Sequence, residues 1–194
     1  MLFCPLVIIF VSLQRYEQTS EKYEACFNIF HSECRLSSIF IKDNQMFELN
    51  LPQYETKIIE NDGKRCIFDN LRRCYVALTP EEWVRQHFVH LLLEHRNYPA
   101  TLMGNEVALT LNGTKRRCDT VVYDRNLKPR IIIEYKAPTV KIDKEVFAQI
   151  ARYNLVLKVD YLIVSNGIQH YCCRMDYTKN SFEFIANIPD YCSL

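Results

Sequence analysis

Apolar residues recur at helical spacing in LTPEEWVRQHFVHLLLEHRNYP, residues 78–99, where Trp83, Val84, His87, Phe88, Leu91 and Leu92 share one broad face. Thr79 is placed to act as N-cap, Pro80 stands at the first helical position, and Glu82 occupies the position that completes a capping box. The Asn-Tyr-Pro that follows ends the helix. Alternation then replaces helical periodicity: EVALTL, CDTVVYD and RIIIEYKA read as three strands, joined by NGTK and DRNLKP, both short and turn-rich enough for hairpins. A second helix is predicted over DKEVFAQIARYNLVLK, with Val146, Phe147, Ile150, Ala151 and Leu155 as its buried stripe. VDYLIVSNG is a strand ending in a tight turn at Asn166-Gly167, and QHYCCRMDY and SFEFIANI form a hairpin through TKNS. The order α-β-β-β-α-β plus an added β-hairpin predicts an α/β fold, a mixed β-sheet flanked by helices. The second helix is its right-handed crossover.

The first 45 residues differ in character. MLFCPLVIIFVSLQ is apolar for about twelve residues, short of the roughly 20 a membrane helix needs. No Lys or Arg precedes this run and QRYEQ follows it, so it makes a poor signal peptide. YEACFNIFHSECRLSSIFIKDNQ has scattered aromatics without clean periodicity, whereas turn punctuation and strand-like alternation begin at Met46. The expectation is a poorly defined extension over residues 1–45, with Met46 as the native start and one domain over 46–194. The alternatives are a packed N-terminal helix and a membrane signal.

Composition narrows the class. In 194 residues, 48% hydrophobic and 12% aromatic side chains suffice for a core, and a net charge of +1 gives no global footprint for nucleic acid. Binding a polyanion would need a local patch, for which Arg116 and Arg117 are candidates, with Arg85, Lys115, Lys141, Lys144 and Arg152 as further basic residues near the candidate chemistry. The nine cysteines show no CxxC and no zinc spacing, which predicts reduced, packed thiols in a cytoplasmic protein, with Cys172 and Cys173 on opposite faces of a strand. His87 fits the apolar helix face and reads as a packed histidine. The sequence has only four glycines and no G-x-x-x-x-G-K-[ST] loop, so ATP chemistry is not expected of it. It shows no zinc finger and no helix-turn-helix, so sequence specificity would come from a partner or from substrate shape, or not exist.

The candidate chemistry interrupts the most apolar strand. Glu134 and Lys136 are two apart and project from one face of RIIIEYKA, while Ile133 and Tyr135 face the other way. Asp119 heads the preceding strand, and pairing of the two strands can bring both acids to one cation. Two carboxylates and a backbone carbonyl make an oxygen-only site suited to Mg²⁺, and an ammonium alongside could orient water or stabilise negative charge. The plainer interpretation of E-x-K is a salt bridge.

Together, the blocks ALTPEEWVRQHF, KRRCDTVVYD, IIIEYKAP, VFAQIARYN and YLIVSNGIQHYCC resemble the N-terminal nuclease domain of type I restriction enzyme R subunits, in a stand-alone form, within the PD-(D/E)xK nuclease superfamily. The resemblance spans roughly residues 46–191, with Cys118 where the superfamily usually has proline. It implies a restriction-endonuclease-like core and Mg²⁺- or Mn²⁺-dependent hydrolysis of phosphodiester bonds, with DNA as the expected substrate. It implies Asp119, Glu134, Lys136 and Gln149 as catalytic residues, Asp119 and Glu134 as metal ligands, and Arg116, Arg117 and Tyr153 on the substrate. Gln149 and Tyr153 form the helix motif Q-x-x-x-Y. A further acid on the first helix is expected at Glu82, as a third metal ligand, with Glu106 as another acid near the site. The implied partners are nucleic acid and a specificity or motor protein, with no membrane. A non-catalytic nucleic-acid-binding or assembly module on the same fold is the alternative.

Overall fold

The computed structural model describes residues 38–42, 45–111 and 113–194. Strands β1 (Ser38–Lys42) and β2 (Gln45–Leu49) form an antiparallel hairpin. This ladder pairs Ile41 with Met46, across the boundary expected there. The remainder of the expected extension, residues 1–37, 43 and 44, lies outside the described residues. Among the described residues no helix is long and apolar enough to cross a membrane.

A three-stranded antiparallel sheet follows, in the order β3 (Ile58–Asn61), β4 (Lys64–Asp69), β5 (Cys74–Ala77). Only its general strand character was visible in the alternation after Met46. Helix α1 (Pro80–His95) then begins as expected, Thr79 Oγ1 accepting the Glu82 N–H at 3.1 Å. Its six predicted face residues are all buried, and so are Glu82, Arg85 and Gln86. The helix therefore buries polar groups as well as an apolar stripe.

The main sheet has six strands in the order β11-β10-β9-β8-β7-β6. Strands β6 (Met103–Leu111), β7 (Thr114–Tyr123) and β8 (Pro129–Tyr135) run as an antiparallel meander. Helix α2 (Lys144–Leu157) returns the chain so that β9 (Tyr161–Ser165) lies parallel to β8. Strands β10 (His170–Asp176) and β11 (Ser181–Ile185) complete it as the added hairpin. The α-β-β-β-α-β order and the mixed α/β sheet stand as expected.

Each face of the sheet has its own core. Ile131, Ile133 and Tyr135 pack with Trp83, Val84, Phe88 and Leu92 of α1, while Ile132, Val121 and Val164 pack with Val146, Phe147 and Ile150 of α2. Alternation along β8 delivers one set to each side. Cys172 and Cys173 divide the same way, and every described cysteine is a free thiol. The predicted stripe on α2 needs one correction. Leu155 is only half-buried, and the buried position is Asn154, whose Oδ1 accepts the Val159 N–H at 2.8 Å and fixes the helix exit. At the predicted turn Gly167 has φ +81°, and a Cβ there would sit 2.6 Å from Leu49 Cδ2, so both backbone shape and packing require glycine.

Candidate active site

Pairing between β7 and β8 starts at Tyr123↔Pro129, shifts register by a bulge, and then runs from Val122↔Ile131 to Thr120↔Ile133. The next step of that register sets Asp119 opposite Glu134, and there the two strands part. Asp119 Oδ2 takes the N–H of Tyr135 at 2.8 Å, in place of a backbone acceptor. On its other edge β8 remains paired through Tyr135↔Ser165, and Lys136 N–H donates to Ser165 O at 2.9 Å. The strand is thus held straight by β9 while it opens towards β7, and the opening is where the two acids meet.

Glu134 is 3% exposed and faces α2. Its Oε1 accepts from Lys136 Nζ at 3.0 Å and from Gln149 Nε2. Lys136 Nζ also donates to Gln149 Oε1 at 3.2 Å, and Gln149 Nε2 lies 3.5 Å from the Tyr153 hydroxyl one helical turn on. Glu134 Oε2 is buried with no hydrogen-bond partner. Burial first, and then the nearby Asp119 carboxylate, push Glu134 up to about 7, against the pull of Lys136 and Arg85. Burial also raises Asp119, although Arg85 and the Tyr135 N–H favour its charged form. A buried carboxylate oxygen without a partner, beside a second acid, fits a divalent cation held between them. Among the described residues no three His, Cys, Asp or Glu side chains cluster as ligands, so such a cation would rest on this pair with backbone and water oxygens.

Helix α1 supplies the counter-charge from the other side. The Arg85 side chain is 6% exposed, and its Nη2 lies 3.1 Å from Asp119 Oδ1 and 2.8 Å from Glu106 Oε1, while Nη1 donates to Glu82 Oε2 at 3.0 Å. Its guanidinium carbon sits 5.7 Å from the centre of the Tyr135 ring. Asn105↔Thr120 and Val107↔Cys118 pair on either side of Glu106, which therefore stands opposite Asp119, and its φ of +55° interrupts the ladder. Two like charges face each other across the strands, and Arg85 lies between them.

Most of the expected residues gather, but not all. Asp119, Glu134, Lys136, Gln149 and Tyr153 form one connected set. Glu82 does not join them. Its carboxylate accepts from Arg72 Nη2, Arg85 Nη1 and Gln86 Nε2, so it reaches Asp119 only through Arg85. Those bonds also replace the second half of the expected capping box, since the Thr79 N–H goes to Ala77 O. Arg117 is exposed and paired with Glu106 Oε2 at 3.2 Å, and Arg116 is exposed on the same strand. His87 is a packed histidine, as expected: Nδ1 meets Trp83 O at 2.9 Å and burial lowers it to about 4.

The sequence did not disclose how α1 is anchored. Asp69, buried at the end of β4, accepts the N–H groups of Leu71 and Arg72, the Arg72 guanidinium and Asn105 Nδ2. Asn105 Oδ1 in turn accepts the Thr120 hydroxyl at 2.6 Å, one residue from Asp119. The available signal was an Asp followed at positions two and three by residues able to donate backbone N–H groups, an Asx turn in FDNLRR.

A family model described as the type I restriction enzyme R protein N terminus (HSDR_N) matches residues 80–189, more than half of the chain. No curated protein matches. Among solved structures, a fragment assigned as the HsdR subunit of a type I restriction enzyme from Vibrio vulnificus YJ016 is 19% identical with a TM-score of 0.42, over 58% of this chain and 24% of that one. The chain thus matches about a quarter of that fragment's length.

Proposed function

The chain belongs to the type I restriction enzyme R protein N-terminal family, and on that basis and the Asp119–Glu134 pair we propose that it is a metal-dependent nuclease hydrolysing phosphodiester bonds in DNA. The observation that carries this reading is the partnerless, buried Glu134 Oε2 beside Asp119. In this reading the α-β-β-β-α-β core is restriction-endonuclease-like, with the catalytic acids at the opening between β7 and β8.

Asp119 and Glu134 would hold Mg²⁺ or Mn²⁺, which when bound supplies charge neutralisation at a phosphoryl oxygen and a more acidic water. Lys136 Nζ, positioned by Glu134 Oε1 and Gln149 Oε1, places an ammonium beside the reacting phosphate, where it orients water and offsets the added negative charge. Gln149 fixes both Glu134 and Lys136 from α2, and Tyr153 sits one turn further on against the substrate backbone. Arg116 and Arg117 contribute phosphate contacts, which position the polyanion and read no sequence. A specificity or motor protein would supply target choice, and the protein would act in the cytoplasm.

One observation favours the second reading, a module that binds nucleic acid without cutting it. Asp119 already has two partners, Arg85 and the Tyr135 N–H. Calorimetric titration of Mg²⁺ and of Mn²⁺ into the wild type and Glu134→Ala separates the two. The nuclease reading requires binding to the wild type that the variant loses, and equal heats from both would remove its support.

A further inference from the structure

We propose that the outer face of the β3–β4–β5 sheet is a stacking platform for unpaired nucleotides. The inner face of this sheet is closed: Ile67 is buried in the main core, with Ile58 and Val76 packed against it. Alternation therefore turns the intervening residues outwards. Ile59 is 40% exposed and Tyr75 43% exposed, with Phe68 and Cys66 half-buried between them. Phe68 and Tyr75 are cross-strand partners whose rings meet edge to face at 5.3 Å. Lys57 Nζ lies 5.6 Å from the Phe68 ring centre.

Charge indicates what this face would receive. Lys57, Lys64 and Arg73 are exposed around the aromatic pair, and none has a carboxylate within ion-pair distance among the described residues. The acids of these strands lie off this face or at its edge: Asp69 is buried, Glu60 is exposed but alternates to the side of Ile58, and Asp62 stands in the β3–β4 turn. An apolar strip with exposed ring faces, bordered by unpaired cations, suits a polyanion whose bases are free to stack. A duplex, with its bases already stacked inside, would reach only the cations.

The platform is also joined to the candidate site. Phe68↔Tyr75 is the pair next to the Asp69–Cys74 end of the sheet. At that end Asp69 holds Asn105, and Arg72 holds Glu82, which is bonded to Arg85 and so linked to Asp119. These bonds run along the buried side of the sheet, so the platform and the candidate site share one hydrogen-bonded support. The inference deepens the nuclease reading, on which its biological purpose rests, by assigning an unpaired strand as the preferred substrate.

The test is fluorescence anisotropy of the full chain with a fluorescein-labelled oligothymidylate in EDTA, so that binding is read without the metal site. Tyr75→Ala is expected to weaken binding about fivefold or more, with Tyr75→Trp restoring it. Lys57→Gln should weaken it and lower the slope of log Kd against log salt by about one. An unlabelled duplex of equal length should compete less well than the single strand. Unchanged melting temperatures would show that the exposed substitutions leave the fold intact. Binding unaffected by Tyr75→Ala, equal competition by duplex, or no binding by the wild type would each overturn the platform. Cleavage in Mg²⁺, measured separately, decides the nuclease reading whatever the anisotropy shows.

Discussion

Arg85 Nη2 lies 3.1 Å from Asp119 Oδ1, an ion pair between helix α1 and strand β7 with the arginine side chain only 6% exposed. The same nitrogen meets Glu106 Oε1 at 2.8 Å, and Nη1 meets Glu82 Oε2 at 3.0 Å. One guanidinium therefore neutralises acids from a helix and from two strands, and its removal leaves Asp119 facing Glu106 with the Tyr135 N–H as its hydrogen-bond donor, while Glu82 keeps Arg72 and Gln86. Arg85→Met is expected to destabilise the chain by about 3–5 kcal/mol, the usual cost of uncompensated buried charge. Arg85→Lys should lose less, since it keeps the charge but not the fork geometry. Urea unfolding of the three proteins checks the order, and an Arg85→Met protein as stable as the wild type contradicts it.

Glu134 predicts a pH dependence of stability. Its folded value of about 7 lies above the ordinary 4.5. Between these values the folded protein keeps a proton that the unfolded chain has released, so this group makes stability fall as pH rises from about 4.5 to about 7, and adds no further change above that. Glu134→Gln should flatten that part of the profile. Mg²⁺ requires the ionised carboxylate, so the rise in melting temperature on adding Mg²⁺ should grow from pH 5.5 to pH 8. A Mg²⁺ response independent of pH over that range would place the cation elsewhere.

Gln149 touches both Glu134 and Lys136, so its loss should act through them. Gln149→Ala is expected to lower cleavage about tenfold to a hundredfold, the range for partners that orient metal-site groups, while stability changes little. Gln149→Glu should restore less than half of the activity, because it loses the amide that donates to Glu134. Rates at saturating Mg²⁺ report the comparison, and full activity in Gln149→Ala would remove it from the site.

The sequence made the elements of the main sheet legible because their periods are clean. Val84, Phe88 and Leu92 recur as a helix must, and the apolar run of β8 is broken only where Glu134 and Lys136 stand. The order of those elements then fixed which strands neighbour one another, and so the placement of Asp119 near Glu134. What could not be read were contacts made through long polar side chains across elements. Glu82 matched the capping-box position, yet Arg72 and Arg85 outcompete the N-cap N–H for its carboxylate. Arg85 is legible as a basic residue near the site, but its burial is not, because that depends on acidic partners from β6 and β7. Asn154 replaced Leu155 in the α2 interior for a related reason, since capping the helix exit satisfies a backbone N–H that leucine cannot.

The most direct test of the central claim is cleavage by the full chain of single-stranded DNA, duplex DNA and RNA, each with Mg²⁺ or Mn²⁺, beside Lys136→Ala. Lys136 is 22% exposed and bonded to Glu134 and Gln149, so the variant should remain folded and still respond to the metal in a melting experiment. The account predicts metal-dependent cleavage of DNA by the wild type and its loss in Lys136→Ala. No cleavage by a folded, metal-responsive wild type, or equal cleavage by the variant, would contradict it.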